Sequence, residues 1–346
     1  MQKNSVKVCL DFPDLDEKTW VFPEPIEVIA AYRTEDVAAC LERLQAVAAQ
    51  KKWVAGYLAY EAAPAFDSHL SVQSMPEASR PLLWFAVFDQ GPERVERTDP
   101  EGLSCPAGAW QPDVSYDTYA RNVRRIQAAI RAGDTYQVNY TVRLTKDFTD
   151  DPWRFYQALR AAQKTAYGMY IETPGWAVLS ASPELFFTLS AGHIVTRPMK
   201  GTAPRGRWRE EDEAMRQALQ RSVKNRAENI MIADLLRNDL GKIARIGSVR
   251  ATDLWKTERY PTVWQMTSTV SAEVPQTMTW IEVMRRIFPS GSITGAPKIS
   301  TMRLIAALEE TPRGVYCGTL GYAAPSGSAT FNVAIRTVWI DKTAGR

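Results

Sequence analysis

Apolar residues recur at helical spacing between Val37 and Gln50, where Val37, Leu41, Leu44 and Val47 fall on one face. The pattern then changes. Trp53 to Tyr60 is a nearly unbroken apolar run suited to a buried strand. From Gly91 to Val114 the chain is rich in Pro, Gly, Asp and Glu, and this stretch reads as a linker between two differently patterned regions. Beyond it, Tyr119, Val123, Ile126 and Ile130 mark one face of a helix, with Asp117 as N-cap and Gly133 as the stop. Tyr136, Val138, Tyr140, Val142 and Leu144 then alternate with polar residues, which is strand periodicity.

Trp176 to Ser180, Leu185 to Leu189 and Ile194 to Thr196 are strand-like, the last two joined by the turn Ser190-Ala191-Gly192. Ser222 to Leu240 reads as a long helix. A second helix opens at Pro297 with Ile299, Met302, Ile305 and Leu308 as its buried stripe, and two strands follow, Tyr316 to Tyr322 and Phe331 to Val338. Strands and helices mix irregularly, which predicts an α+β architecture rather than a doubly wound sheet. The expected organisation is an N-terminal region over residues 1–90, a linker over 91–113 and a main domain over 114–346.

The 346 residues are 45% hydrophobic and 23% charged, the balance of a globular protein with a large core. A net charge of +3, with Lys and Arg interleaved among Asp and Glu, gives no electrostatic support to nucleic acid or membrane-surface binding. The first ten residues lack the apolar core of a signal peptide, and no apolar run is long enough to cross a bilayer. Cys9, Cys40, Cys105 and Cys317 are scattered without metal-binding spacing, as suits a reducing cytoplasm. With His69 and His193 as the only histidines, acid-base chemistry falls to carboxylates, lysine or water.

Lys200 stands in the run Arg197-Pro198-Met199-Lys200-Gly201-Thr202-Ala203-Pro204-Arg205-Gly206. It is either a strand-end lysine that keeps an edge soluble or a nucleophile. The second role needs burial or neighbouring cations, such as Arg197 and Arg205, to push protons off the ammonium group. If the strands either side of Gly192 form a hairpin, Glu184 and Lys200 lie equally far from its turn and share a face, an acid beside a nucleophile. A one-residue slip would separate them, and Glu184 after Ser182-Pro183 otherwise reads as a solvent-facing turn residue.

The long helix has a broad apolar face that would carry Glu228 inward, where Mg²⁺ is a candidate partner for its carboxylate; the alternative is a salt bridge on the helix surface. Asp234 and Asp239 are expected to make structural contacts. The small-residue loop Ser290 to Lys298 contains Thr294 and Gly295. It opens a helix, so its amides and Lys298 suit an anionic group. Arg336 interrupts an apolar strand and is expected to meet a carboxylate, from a ligand or from within the chain.

Together these runs, from about Val114 onward, resemble the chorismate-utilising enzymes, which include anthranilate, isochorismate, salicylate and aminodeoxychorismate synthases. The resemblance implies mostly antiparallel sheets packed as a sandwich with helices outside. Pro198-Met199-Lys200-Gly201-Thr202 is similar to the signature of the aminodeoxychorismate branch, whose lysine is the nucleophile where anthranilate synthases have a small residue. Gln137 stands where isochorismate and salicylate synthases carry a water-activating lysine.

The reaction so implied converts chorismate and ammonia to 4-amino-4-deoxychorismate, a precursor of p-aminobenzoate and folate, with ammonia from a glutamine amidotransferase partner. By the same resemblance Glu184 is the general acid, Glu228 a Mg²⁺ ligand, and Tyr322 and Arg336 bind a substrate carboxylate. Members of the family continue past the Arg336 strand with a glycine-rich segment and an acidic metal-binding motif. The resemblance thus implies a chain cut short at Arg346. Trp53 to Glu61 is similar to forms fused to a following aminodeoxychorismate lyase domain that binds pyridoxal phosphate. Anthranilate synthesis and an inactive chorismate-binding fragment are the alternative readings.

Overall fold

Aromatic side chains from two facing sheets set the centre of the molecule. The Trp176 ring lies 5.9 Å from that of Tyr57 and 5.4 Å from that of Trp84, while Phe12 lies 5.8 Å from Tyr322. Burying such large rings is the main drive to bring the sheets together. The computed structural model describes residues 5–13, 18–75, 80–97, 108–164 and 166–345.

One sheet has six strands, ordered Thr337–Asp341, Trp176–Ser182, Tyr167–Glu172, Lys7–Asp11, Thr19–Val21 and Glu93–Val95. The other has ten strands. Its main path runs Met199–Pro204, Val263–Glu273, His193–Arg197, Leu185–Ser190, Ala329–Asn332, Thr319–Ala323, Trp53–Leu58, Leu83–Phe88 and Glu27–Ala31, and Arg250–Arg259 joins Val263–Glu273. Pairings among the described residues are antiparallel, so the expected α+β sandwich is the observed architecture. The helices Thr34–Ala49, Pro152–Gln163 and Val223–Gly241 lie against the sheets.

The division at residues 91–113 does not separate two folded units. Lys7–Asp11 pairs with Tyr167–Glu172, and Trp53–Leu58 pairs with Thr319–Ala323. Strands on both sides of the linker complete each other's hydrogen-bond ladders. Part of that stretch, 98–107 with Cys105, lies outside the described residues.

The helix over Thr34–Ala49 buries Val37, Leu41, Leu44 and Val47 as the spacing predicts. The helix Tyr116–Ala132 starts two residues earlier than expected: Ser115, not Asp117, is the N-cap and accepts from the Thr118 amide at 3.2 Å. Residues 136–144 do not form one strand. Only Gln137–Val138 and Leu144–Thr145 pair, each with a different partner, so tertiary pairing overrides the alternation. The run Phe331 to Val338 is likewise two strands, Ala329–Asn332 in the large sheet and Thr337–Asp341 in the small one. Arg336 sits in the crossing at φ +51°.

Candidate active site

The hairpin that carries Glu184 forms as expected, but its register differs. Ser190 pairs with His193 and Thr188 with Val195, then a bulge shifts the ladder so that Leu185 faces Arg197. Lys200 is not on the opposing strand. It lies on the next one, Met199–Pro204, which folds against Val263–Glu273 instead. Lys200 is still near enough to act on Glu184 through its charge, while the Ser292 hydroxyl and the Met199 amide donate hydrogen bonds to the Glu184 carboxylate.

Glu184 is 3% exposed, and burial pushes its pKa from 4.5 up to about 7 against those three stabilising influences. A carboxyl group so placed can hold a proton near neutrality and release it to a leaving group. Its backbone is fixed as well. The Glu184 carbonyl accepts from Val333 N at 3.0 Å, and its amide donates to the Ser182 hydroxyl at 3.2 Å.

Lys200 sits in a second bulge. Met199 pairs with Thr267 and Thr202 with Gln265, so Lys200 and Gly201 together oppose Met266 alone. Gly201 has φ +99°, and a Cβ there would lie 3.1 Å from that of Asn225 and 3.2 Å from that of Met266. The flanking arginines are each paired elsewhere. Arg197 pairs with Glu258. Arg205 pairs with Asp212 at 2.6 Å and donates to the Tyr260 carbonyl at 2.8 Å.

The loop expected to offer its amides to an anion is buried from Ser290 to Ala296. Thr294 N donates to the Gly291 carbonyl, and the Thr294 hydroxyl is taken by the carbonyls of Ser290 and Gly291, both at 3.2 Å. Gly295–Ala296 pairs with Gln137–Val138, and Gln137 has a buried side-chain oxygen without a hydrogen-bond partner among the described residues. The loop's contribution to Glu184 is thus a hydroxyl, that of Ser292. Lys298 is also assigned otherwise than expected: its ammonium lies 3.0 Å from Asp239 and 3.1 Å from the Ile287 carbonyl. Burial lowers its pKa while Asp239 opposes that, the pattern of an internal ion pair.

Glu228 is not carried inward. Its side chain is 37% exposed, 3.7 Å from exposed Lys224, because the buried face of the helix Val223–Gly241 runs through Asn229, Ile232, Ala233 and Leu236. It fits Mg²⁺ as a single ligand, since that ion is commonly held by one or two carboxylates together with substrate oxygens and water. Among the described residues no three His, Cys, Asp or Glu side chains cluster as a metal site.

Tyr322 packs against Phe12, Trp20 and Trp53 in the layer between the sheets. Arg336 is exposed, and it donates to the Gln163 amide oxygen at 2.6 Å rather than to a carboxylate. Sequence reasoning passed over Tyr260, which stands within electrostatic reach of Arg197, Arg336 and Glu184 and whose pKa burial raises. A lone tyrosine before Pro261 carries no periodic signal. His69 and His193 are exposed, and no helix among the described residues is long and apolar enough to cross a membrane.

Residues 7–346 match the family model for chorismate binding enzyme. The chain belongs to that family. It is 42% identical over 230 residues to aminodeoxychorismate synthase component 1 of Klebsiella aerogenes, covering 66% of this chain and 51% of the relative. It is 37% identical over 233 residues to the Bacillus subtilis protein of the same name, covering 67% and 50%. The chain thus spans about half the length of the curated relatives it matches. Among solved structures, anthranilate synthase component I from Streptococcus pneumoniae superposes with a TM-score of 0.81 at 22% identity, covering 99% of this chain and 86% of that one. This likeness shows the fold.

Proposed function

We propose that the chain acts as an aminodeoxychorismate synthase component I, converting chorismate and ammonia to 4-amino-4-deoxychorismate. The observation that carries this reading is a buried, neutrality-tuned Glu184 within electrostatic reach of Lys200, which sits at a bulge, in a chain of the chorismate family. The amine of Lys200 bonds to the ring carbon next to the carboxylate-bearing one. Both ring double bonds shift, the carbon–oxygen bond to the hydroxyl breaks, and Glu184 gives its proton so that water leaves.

Ammonia then bonds where the hydroxyl stood, both double bonds return to their first positions, and the carbon–nitrogen bond to Lys200 breaks with its electron pair going to the lysine nitrogen. The Glu184 carboxylate takes the surplus proton from the new ammonium group, which restores both residues. Glu228 would hold a Mg²⁺ whose chemistry is to neutralise and orient the ring carboxylate. Ammonia is supplied by a glutamine amidotransferase, in keeping with the component naming of the relatives.

Incubation with chorismate, Mg²⁺ and ammonium, followed by product identification, tests the reading. The expected product is 4-amino-4-deoxychorismate, formed by the wild type and lost in Lys200→Ala. Direct formation of fluorescent anthranilate would overturn it.

A further inference from the structure

A bulge that carries a nucleophile presents a physical difficulty. Two residues oppose one, so the ladder cannot satisfy both of their carbonyls, and a peptide without fixed partners can rotate and swing the side chain. Here each carbonyl of the bulge meets a side-chain amide. Asn229 Nδ2 donates to the Lys200 carbonyl at 3.1 Å from the helix side, and Gln265 Nε2 donates to the Gly201 carbonyl at 3.0 Å from the neighbouring strand.

Each amide is oriented in turn. The Ser268 hydroxyl donates to Asn229 Oδ1, and the Thr202 hydroxyl donates to Gln265 Oε1 at 2.9 Å, so both nitrogens are left facing the bulge. Asn229 is fully buried, whereas Gln265 is half-buried. Both clamps are uncharged. A carboxylate or cation in either place would alter the charge balance around the lysine, while an amide fixes the peptide and leaves that balance alone.

We infer that Gln265 and Asn229 are positioning residues for Lys200, holding the two peptide planes of its bulge so that the amine is aimed at the substrate carbon. The inference rests on the reading of Lys200 as the nucleophile. Gln265 is the better probe because it is less buried. Gln265→Met keeps length and loses both hydrogen bonds; Gln265→Glu keeps the acceptor for Thr202 and cannot donate to Gly201 when ionised.

In the full chain, both variants are expected to lower kcat with ammonium at least about tenfold, with KM for chorismate changed less than about twofold. Acylation of Lys200 by an amine-selective reagent, read by peptide mass spectrometry, is expected to change about threefold or more. Acylation of exposed Lys224 and the melting temperature should stay near wild type. Asn229→Asp, which also loses the donor, should behave like Gln265→Glu. Wild-type kcat and wild-type Lys200 acylation in folded Gln265→Met would overturn the inference. If Lys200→Ala keeps full turnover, the nucleophile reading fails instead, and the acylation comparison still decides whether Gln265 holds Lys200.

Discussion

Arg313 donates to Glu309 through both Nε, at 2.8 Å, and Nη2, at 2.7 Å, in a pair almost wholly removed from solvent. The same guanidinium donates to the carbonyls of Ile293 and Asn139, and Glu309 accepts from the Thr141 amide. The pair thus ties the Ser290 loop to the segment after Gln137. Arg313→Met strands a buried carboxylate and is expected to cost about 3–5 kcal/mol in urea unfolding. Adding Glu309→Met should recover part of that loss, because the uncompensated charge goes with it.

Glu184 has a folded pKa of about 7 against an ordinary 4.5. As a general acid it must hold its proton, so turnover is expected to fall as pH rises through about 7, and Glu184→Gln should lower kcat about 100-fold or more. The stability effect has the same direction. A raised pKa contributes stability that is complete below 4.5 and lost as pH rises through 7. Melting curves should therefore show Glu184→Gln gaining on wild type between pH 5 and pH 8, by about 1–3 kcal/mol.

A Cβ on Gly295 would fall 2.0 Å from the Gln137 carbonyl oxygen, at φ +146°. Gly295→Ala is expected to break the pairing with Gln137–Val138 and to destabilise by more than about 3 kcal/mol. Gly201→Ala meets softer neighbours at 3.1 and 3.2 Å, so it should fold with a loss of about 1–2 kcal/mol and a larger fractional loss in kcat. Chemical unfolding beside steady-state assays separates the two.

Lys298 is bound to Asp239, which also accepts from Lys242 at 2.8 Å. Lys298→Met is therefore expected to lower the melting temperature while leaving KM for chorismate within about twofold. A KM increase of tenfold in a stable variant would return Lys298 to the substrate.

The elements legible in the sequence were those whose burial is periodic, such as the helix of Val37, Leu41, Leu44 and Val47. The expected pairing of Glu184 with Lys200 across one hairpin is not what forms, and Lys200 acts on Glu184 only through its charge from the next strand. The sequence shows a single hairpin, whereas the chain uses two bulges and a third strand, and bulges leave no mark on alternation. Tyr322, Arg336 and Lys298 were read from residue type and motif. Their actual neighbours, an aromatic layer, Gln163 and Asp239, are fixed by long-range packing that local pattern does not encode.

The interleaving of Trp53–Leu58 between Leu83–Phe88 and Thr319–Ala323 bears on how the protein assembles. During synthesis the early strand emerges some 260 residues before its second partner, so one of its hydrogen-bonding edges stays open until Thr319–Ala323 has been made. Closure of the large sheet is then a late, non-local event. The hazard it creates is pairing between early strands of neighbouring nascent chains, which makes co-translational yield sensitive to chaperone supply.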